Sequence, residues 1–276
     1  MICAWKEFLS ILPSWLRQTM DKHDEAMLQE LRLRLNSPPE LVTASASRFL
    51  GQSVTSDDLQ FCINSASRYS PWSASSTASG YLTAPGGHRI GICGEAVCHG
   101  GVMSGIREVT SVCIRVARDF PGIAKALPTR GSVLILGAPG SGKTTLLRDL
   151  IRQRSDQGEH VSVVDERKEL FPVKHFSCGK RTDVLSGCSK AQGIISVLRA
   201  MGPDCIAVDE ITSEADSEAM LQALWCGTSL LATAHASSLE DFFRRTVYRD
   251  IARSGLFTNI VTLRKDKTWI LEGGQG

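Results

Sequence analysis

A lysine and two threonines preceded by glycines at fixed offsets form a set of residues suited to holding phosphate. In LILGAPGSGKTTLLRDLI (134–151), Gly137, Gly140, Gly142, Lys143 and Thr144 fall at the spacing G-x-x-x-x-G-K-T. Glycines there let backbone N–H groups close around phosphate oxygens, and a helix starting at the end of the loop adds the positive end of its dipole. The expected nucleotide-binding residues run from Gly137, Ala138 and Pro139 through Gly140, Ser141 and Gly142 to Lys143, Thr144 and Thr145. Lys143 is expected on the β- and γ-phosphates, in an exposed loop, and Thr144 on a Mg²⁺ ion.

Two acidic pairs could complete a hydrolytic site. PDCIAVDEI (203–211) is an apolar run ending in adjacent carboxylates. Asp209 would hold Mg²⁺, directly or through its water, and Glu210 would act as general base. VVDERKEL (163–170) carries the second pair, Asp165 and Glu166. A carboxylate there would order the attacking water or support a metal ligand. His235 follows another apolar run, SLLATA (229–234), and is expected as a sensor of the γ-phosphate, the alternative being a core histidine that only satisfies hydrogen bonds.

These residues need a frame that brings them to one edge. VLIL (133–136), VSVV (161–164), CIAV (205–208), SLLATA (229–234) and NIVTL (259–263) alternate with helical patterns from residue 132 onward. Such repetition predicts a mainly parallel sheet with helices on both faces and ligands at the carboxyl ends of its strands. Ser237-x-x-Glu240 has capping-box spacing before the helical DFFRRTVYRDIAR. Pro121, Gly122, Pro128 and Gly131 mark a linker, 121–131, with a short helix inside it.

Before the linker the patterns differ. LQELRLRLN (28–36) alternates leucine with charge as a half-buried strand does, and 88–118 reads as strands joined by a turn at HGG. Trp5, Phe8, Leu9 and Leu12 fall at helical spacing. The expected organisation is a helical segment 1–27, an α+β domain 28–120, the linker and an α/β nucleotide-binding domain 132–276. The Ser/Ala-rich stretch 68–80 fits a helix end or a loop.

Composition narrows the function classes. Thirty-one basic against twenty-nine acidic residues leave a net charge of +2, so bulk charge supports no nucleic-acid partner. Nine cysteines without C-x-x-C pairs read as reduced thiols of a cytoplasmic protein. Cys93 and Cys98 near His88 and His99 are only weak metal-site candidates. No apolar run reaches the roughly 18 residues of a membrane span.

The Walker A loop, acidic box, strand ending in glutamate and histidine box, in this order, resemble the secretion ATPases of type II and type IV secretion and pilus machines. That resemblance implies a RecA-like P-loop fold, ATP as substrate and a hexameric ring. Asp209 stands where the pilus motors often carry glycine, and the acidic box reads Asp-Glu instead of Glu-Asp, which leaves open which carboxylate is the base. GGHRIGICGEAV, SVCIRVARDFPG, VVDERKEL, RTDVLSGCSKAQGIISVLRAMGPDCIAVDEI and TAHASSLEDFFRR, with the loop itself, further resemble the stage III sporulation protein AA family. This second resemblance implies an ATPase at the cytoplasmic face of a membrane, partnered by the proteins of a channel joining mother cell and forespore.

Ring motors often supply an arginine from a neighbouring subunit to stabilise charge on the transferring phosphate. REVTSVCIRVARD (107–119) offers Arg107, Arg115 and Arg118. Strand alternation turns Arg115 away from the face of Ile114 and Val116 and leaves it free to act as the expected finger, the alternative being an arginine on a solvated strand face. Two other classes compete with a motor. One is an ATP-dependent single-stranded nucleic-acid binder, against which stand the charge and the expectation that no nucleic-acid module follows TWILEGGQG; the other is a nucleotide switch with little turnover.

Overall fold

A computed structural model describes residues 1–21, 27–43, 45–68, 80–172, 176–264 and 266–273. The stretch 69–79, the bulk of the Ser/Ala-rich segment, lies outside the described residues. The chain forms two compact units, Met1–Asp119 and Phe120–Gly276.

The first unit contains β1 (Ile2–Cys3), α1 (Trp5–Ser10), α2 (Ser14–Met20), β2 (Leu28–Arg34), β3 (Glu40–Thr43), β4 (Ser47–Phe49) and α3 (Ser56–Ala66), then β5 (Tyr81–Thr83), β6 (Arg89–His99), β7 (Val102–Arg115) and β8 (Arg118–Asp119). Its antiparallel sheet has the order β4-β3-β2-β7-β6-β5, and β1 pairs separately with β8. Leu31 and Leu33 of β2 are buried while Arg32 and Arg34 are not, the period-two pattern of LQELRLR. They share one hydrophobic cluster with Phe8, Leu12 and Leu16, so the first helices pack into the same core as the sheet. Thr55 caps α3 reciprocally with Asp58, a capping box at Thr-x-x-Asp spacing.

The turn at HGG joins β6 to β7 through Gly100 and Gly101, both at positive φ. β5 accompanies β6 only over Arg89–Gly91, and β2 accompanies β7 only over Ser111–Arg115. Among the described residues, the distal half of this hairpin is thus a two-stranded ribbon without a third strand. His88 is fully buried; its Nε2 donates to Ala4 O at 3.0 Å and its Nδ1 accepts from the Ala117 N–H at 3.1 Å. It ties chain segments together, and no group of three potential metal ligands exists among the described residues.

The second unit contains β9 (Val133–Gly137), α4 (Lys143–Asp156), β10 (Val161–Asp165), β11 (Thr182–Ser186), α5 (Lys190–Met201), β12 (Cys205–Val208) and α6 (Glu214–Trp225), followed by β13 (Ser229–Ala234), α7 (Leu239–Arg244), α8 (Arg249–Ser254), β14 (Asn259–Leu263) and β15 (Trp269–Gly273). The sheet order is β11-β10-β12-β13-β9-β14-β15, with every neighbouring pair parallel except β14–β15. Leu134 and Leu136 of β9 enter one hydrophobic cluster, and Val133 and Ile135 enter another. Both faces are covered, which is why these strands read as continuous apolar runs.

Two local expectations are corrected. Residues 121–131 form turns instead of a short helix; Lys125 and Leu127 donate three residues back, to Gly122 O and Ala124 O. The N–H groups of Gly122 and Ala124 donate to the Asp149 carboxylate of α4 at 2.9 and 2.8 Å, an anchor that a helical turn would not need. The cap of α7 is Ser238 with Asp241, one residue beyond Ser237 and Glu240. Ser237 donates its backbone N–H to Asp241, while Glu240 pairs with Arg244 on the helix surface.

Candidate active site

The phosphate loop leaves β9 and enters α4. A Cβ at Gly137 would lie 2.6 Å from Ser141 Oγ and 2.9 Å from Leu263 O, so only glycine fits there. Gly142 has φ +106°, a backbone conformation that glycine alone adopts without strain. Ser141 is buried, and its hydroxyl has no hydrogen-bond partner among the described residues.

Lys143 is buried at the first position of α4, contrary to its expected exposure. Its ammonium donates to Gly137 O at 2.9 Å and Ala138 O at 3.1 Å, and lies 3.1 Å from His235 Nδ1. Burial lowers its pKa, against the charges of Asp209 and Glu210. An ammonium has donors only, so Nδ1 of His235 carries the lone pair and Nε2 the hydrogen. That Nε2 is 3.1 Å from Glu210 Oε1. The contacts run in one chain, Lys143 to His235 to Glu210.

Thr144 donates its hydroxyl to Asp209 Oδ2 at 2.7 Å, and Thr233 donates to Oδ1 at 2.7 Å. Thr233 Oγ1 also accepts the Glu210 N–H at 2.8 Å. Glu210 adopts φ +54°, unusual for a residue with a side chain, and the Thr233 hydroxyl of the adjacent strand holds it there. The strand order explains the meeting. β13 lies between β9 and β12, so Thr233 and His235 stand between the loop and the acidic pair.

The second acidic pair has other partners. Asp165 is buried and accepts the N–H groups of Glu169, Leu170 and Phe171 at 2.8–3.1 Å. Burial raises its pKa; these three donors oppose the rise, and the nearby Asp209 charge adds to it. Glu166 pairs with Lys190, the first residue of α5. Asp165, Glu166, Asp209 and Glu210 line one cleft, together with Arg167, Glu169, Lys190 and Thr212.

Arg115 lies on β7 in the first unit, where its Nε is 3.1 Å from Glu30 Oε1 and its side chain is 62% exposed. Burial raises the Glu30 carboxyl, but the adjacent Arg32 and Arg115 outweigh it and hold its pKa below the ordinary value. Arg107 pairs with Glu95, and Arg118 donates to Leu28 O. Thr233, Lys190 and Lys267, which donates to Gly140 O at 2.7 Å, escaped the sequence reading. Thr233 lies two residues before His235 inside a buried strand, and nothing in the local sequence separates the two lysines from surface charge.

The donor set fits a magnesium nucleotide. The Thr144 hydroxyl and the Asp209 carboxylate are hard oxygen donors 2.7 Å apart. The unpartnered Ser141 hydroxyl and the Lys143 ammonium lie in a loop whose first residue, Gly137, admits no side chain. The pattern of the family described as "Sporulation stage III, protein AA" matches residues 5–271. The chain belongs to this sporulation family.

Among its relatives, stage III sporulation protein AA of Bacillus subtilis is 32% identical over 95% of the chain and 91% of the relative. The structure is similar to the ATPase DotB of Legionella pneumophila, with TM-score 0.64, 18% identity and coverage of 94% of this chain and 80% of that one. It is also similar to the pilus retraction motor PilT with bound ADP, with TM-score 0.63, 17% identity and coverage of 93% and 77%. These likenesses show a RecA-like P-loop fold for this member of the sporulation family. None of its described helices is long and apolar enough to cross a membrane.

Proposed function

We propose that the chain is a Mg²⁺-dependent ATPase that hydrolyses ATP to ADP and phosphate. The observation that carries this reading is the convergence of Lys143, Thr144, Asp209, Glu210 and His235 through direct contacts of 2.7–3.1 Å. The loop from Gly137 to Thr145 binds the triphosphate; Lys143 turns its ammonium to the β- and γ-phosphates, and Thr144 and Asp209 hold the metal. Mg²⁺ bound there supplies positive charge to the phosphate oxygens. Glu210 accepts the proton of the attacking water, and His235, as the neutral Nε2–H tautomer, orients its carboxylate. Glu166 orients the water from the other side of the cleft.

In this reading the protein works as a homo-oligomer, hexameric as in the secretion ATPases, at the cytoplasmic face of the membrane. It is a motor or assembly factor for the membrane-embedded channel proteins between mother cell and forespore. Family membership and the fold shared with DotB and PilT support this. Arg115 reaches a neighbouring protomer's nucleotide by giving up Glu30, which keeps its pairing with Arg32.

Phosphate release with Mg²⁺ against chelator tests the enzyme. Absence of Mg²⁺-dependent turnover in an oligomer that binds ATP makes the protein a nucleotide switch. Mixing tests the ring: Lys143→Ala and Arg115→Ala proteins, each inactive alone, regain part of the activity when co-assembled. An active Arg115→Ala protein removes the finger.

A further inference from the structure

Lys190 occupies a position that a lysine should avoid. Its side chain is only 6% exposed, and it stands in the first turn of α5, which contains no acidic residue. Burying an ammonium costs several kcal/mol unless it is paired, and the positive end of the helix dipole disfavours it further. The compensation comes from across the cleft, where Nζ meets Glu166 Oε2. Three other carboxylates there are engaged differently: Asp165 by backbone N–H groups, Asp209 by two threonine hydroxyls, and Glu210 by a neutral imidazole. Of these four, Glu166 is the one whose carboxylate touches an ammonium directly; Asp209 and Glu210 feel the Lys143 charge only at longer range. Glu210 contacts an imidazole nitrogen, whereas Glu166 is fixed in place by a buried ammonium.

We propose that Lys190 is a positioning residue for hydrolysis. It fixes Glu166 at the carboxyl end of β10, so that this carboxylate orients the attacking water toward Glu210 without itself becoming the base. The proposal rests on the ATPase reading and gives Glu166 and Glu210 separate tasks.

The test is steady-state turnover and ATP affinity of the full-length protein, with thermal melts alongside. Lys190→Met is expected to lower kcat by about ten- to a hundredfold, as loss of a supporting contact does, with ATP Kd and melting temperature near wild type. Lys190→Arg should restore most of the loss. In kcat, Glu166→Gln and the Lys190→Met/Glu166→Gln double variant should match Lys190→Met, because both remove one device; Glu166→Gln alone should also melt lower, since it leaves the buried ammonium unpaired. Wild-type kcat in a folded Lys190→Met protein overturns the proposal. So does a loss that appears equally in Kd and melting temperature, which marks a purely structural tie, or a double variant whose defects multiply. Failure of the ATPase reading is separate: wild-type protein would then show no turnover above the Lys143→Ala control.

Discussion

The same dipeptide, Asp-Glu, closes two neighbouring parallel strands, β10 and β12, yet the two ends are built for different work. At β10, Asp165 clamps the backbone of the following turn and Glu166 is locked to a buried ammonium. At β12, Asp209 is held by hydroxyls, one of them on the phosphate loop, and Glu210 faces a neutral histidine. The residue types are identical; the partners set the chemistry. A carboxylate that caps backbone N–H groups is architecture; one shared with a loop threonine would hold the metal in the proposed reading.

Lys143 touches only the β12 end, through His235, so Lys143→Ala should produce the largest effect. Turnover in phosphate-release assays is expected to vanish while circular dichroism still reports a folded chain. Measurable turnover in that variant would break the link between the loop and Glu210.

Next comes the contrast between the glutamates. Glu210→Gln should retain ATP binding and lose about two orders of magnitude or more in turnover, the size of a general-base contribution. Glu166→Gln should lose less, and a larger defect at Glu166 would exchange the two assignments.

The aspartates sharpen the comparison through different measurements. Asp165→Asn should destabilise the fold by about 1–3 kcal/mol in urea melts, because an amide cannot accept all three N–H groups as the carboxylate does. Asp209→Asn should melt near wild type and require more Mg²⁺ for half-maximal turnover. The pH dependence gives the smallest effect. Burial raises the Asp165 carboxyl above its ordinary 3.8, so the folded chain keeps this proton to a higher pH than the unfolded chain. Its contribution to stability is therefore full below 3.8 and declines as pH rises through the folded value; Asp165→Asn should flatten that decline in melts taken across the acid range.

Much of the frame was legible because β9, β10, β12 and β13 are buried on both faces and leave unbroken apolar runs. β11 and β15 were missed for the converse reason: they are the sheet's outer strands, and TDVLS and WILEG keep mostly exposed or half-exposed side chains. The cap of α7 was misplaced by one residue because Ser237-x-x-Glu240 and Ser238-x-x-Asp241 overlap, and only geometry selects between them. Loop, acidic ends and histidine could be found as residue types at strand ends. The partners that distinguish them could not, since Thr233 and Lys190 each lie 24 residues from the carboxylate they contact.

The unaccompanied half of the β6–β7 hairpin has a consequence for how its amides meet deuterium. Among the described residues its hydrogen bonds join only two strands, an arrangement marginal in water by itself, so they open by fraying without unfolding the unit. Backbone hydrogens around Glu95–Arg107 should exchange early, whereas those linking β9 to β13 and β14 should wait for global opening. A labelling time course would then show two separate clocks in one chain, the fast one ticking in the ribbon.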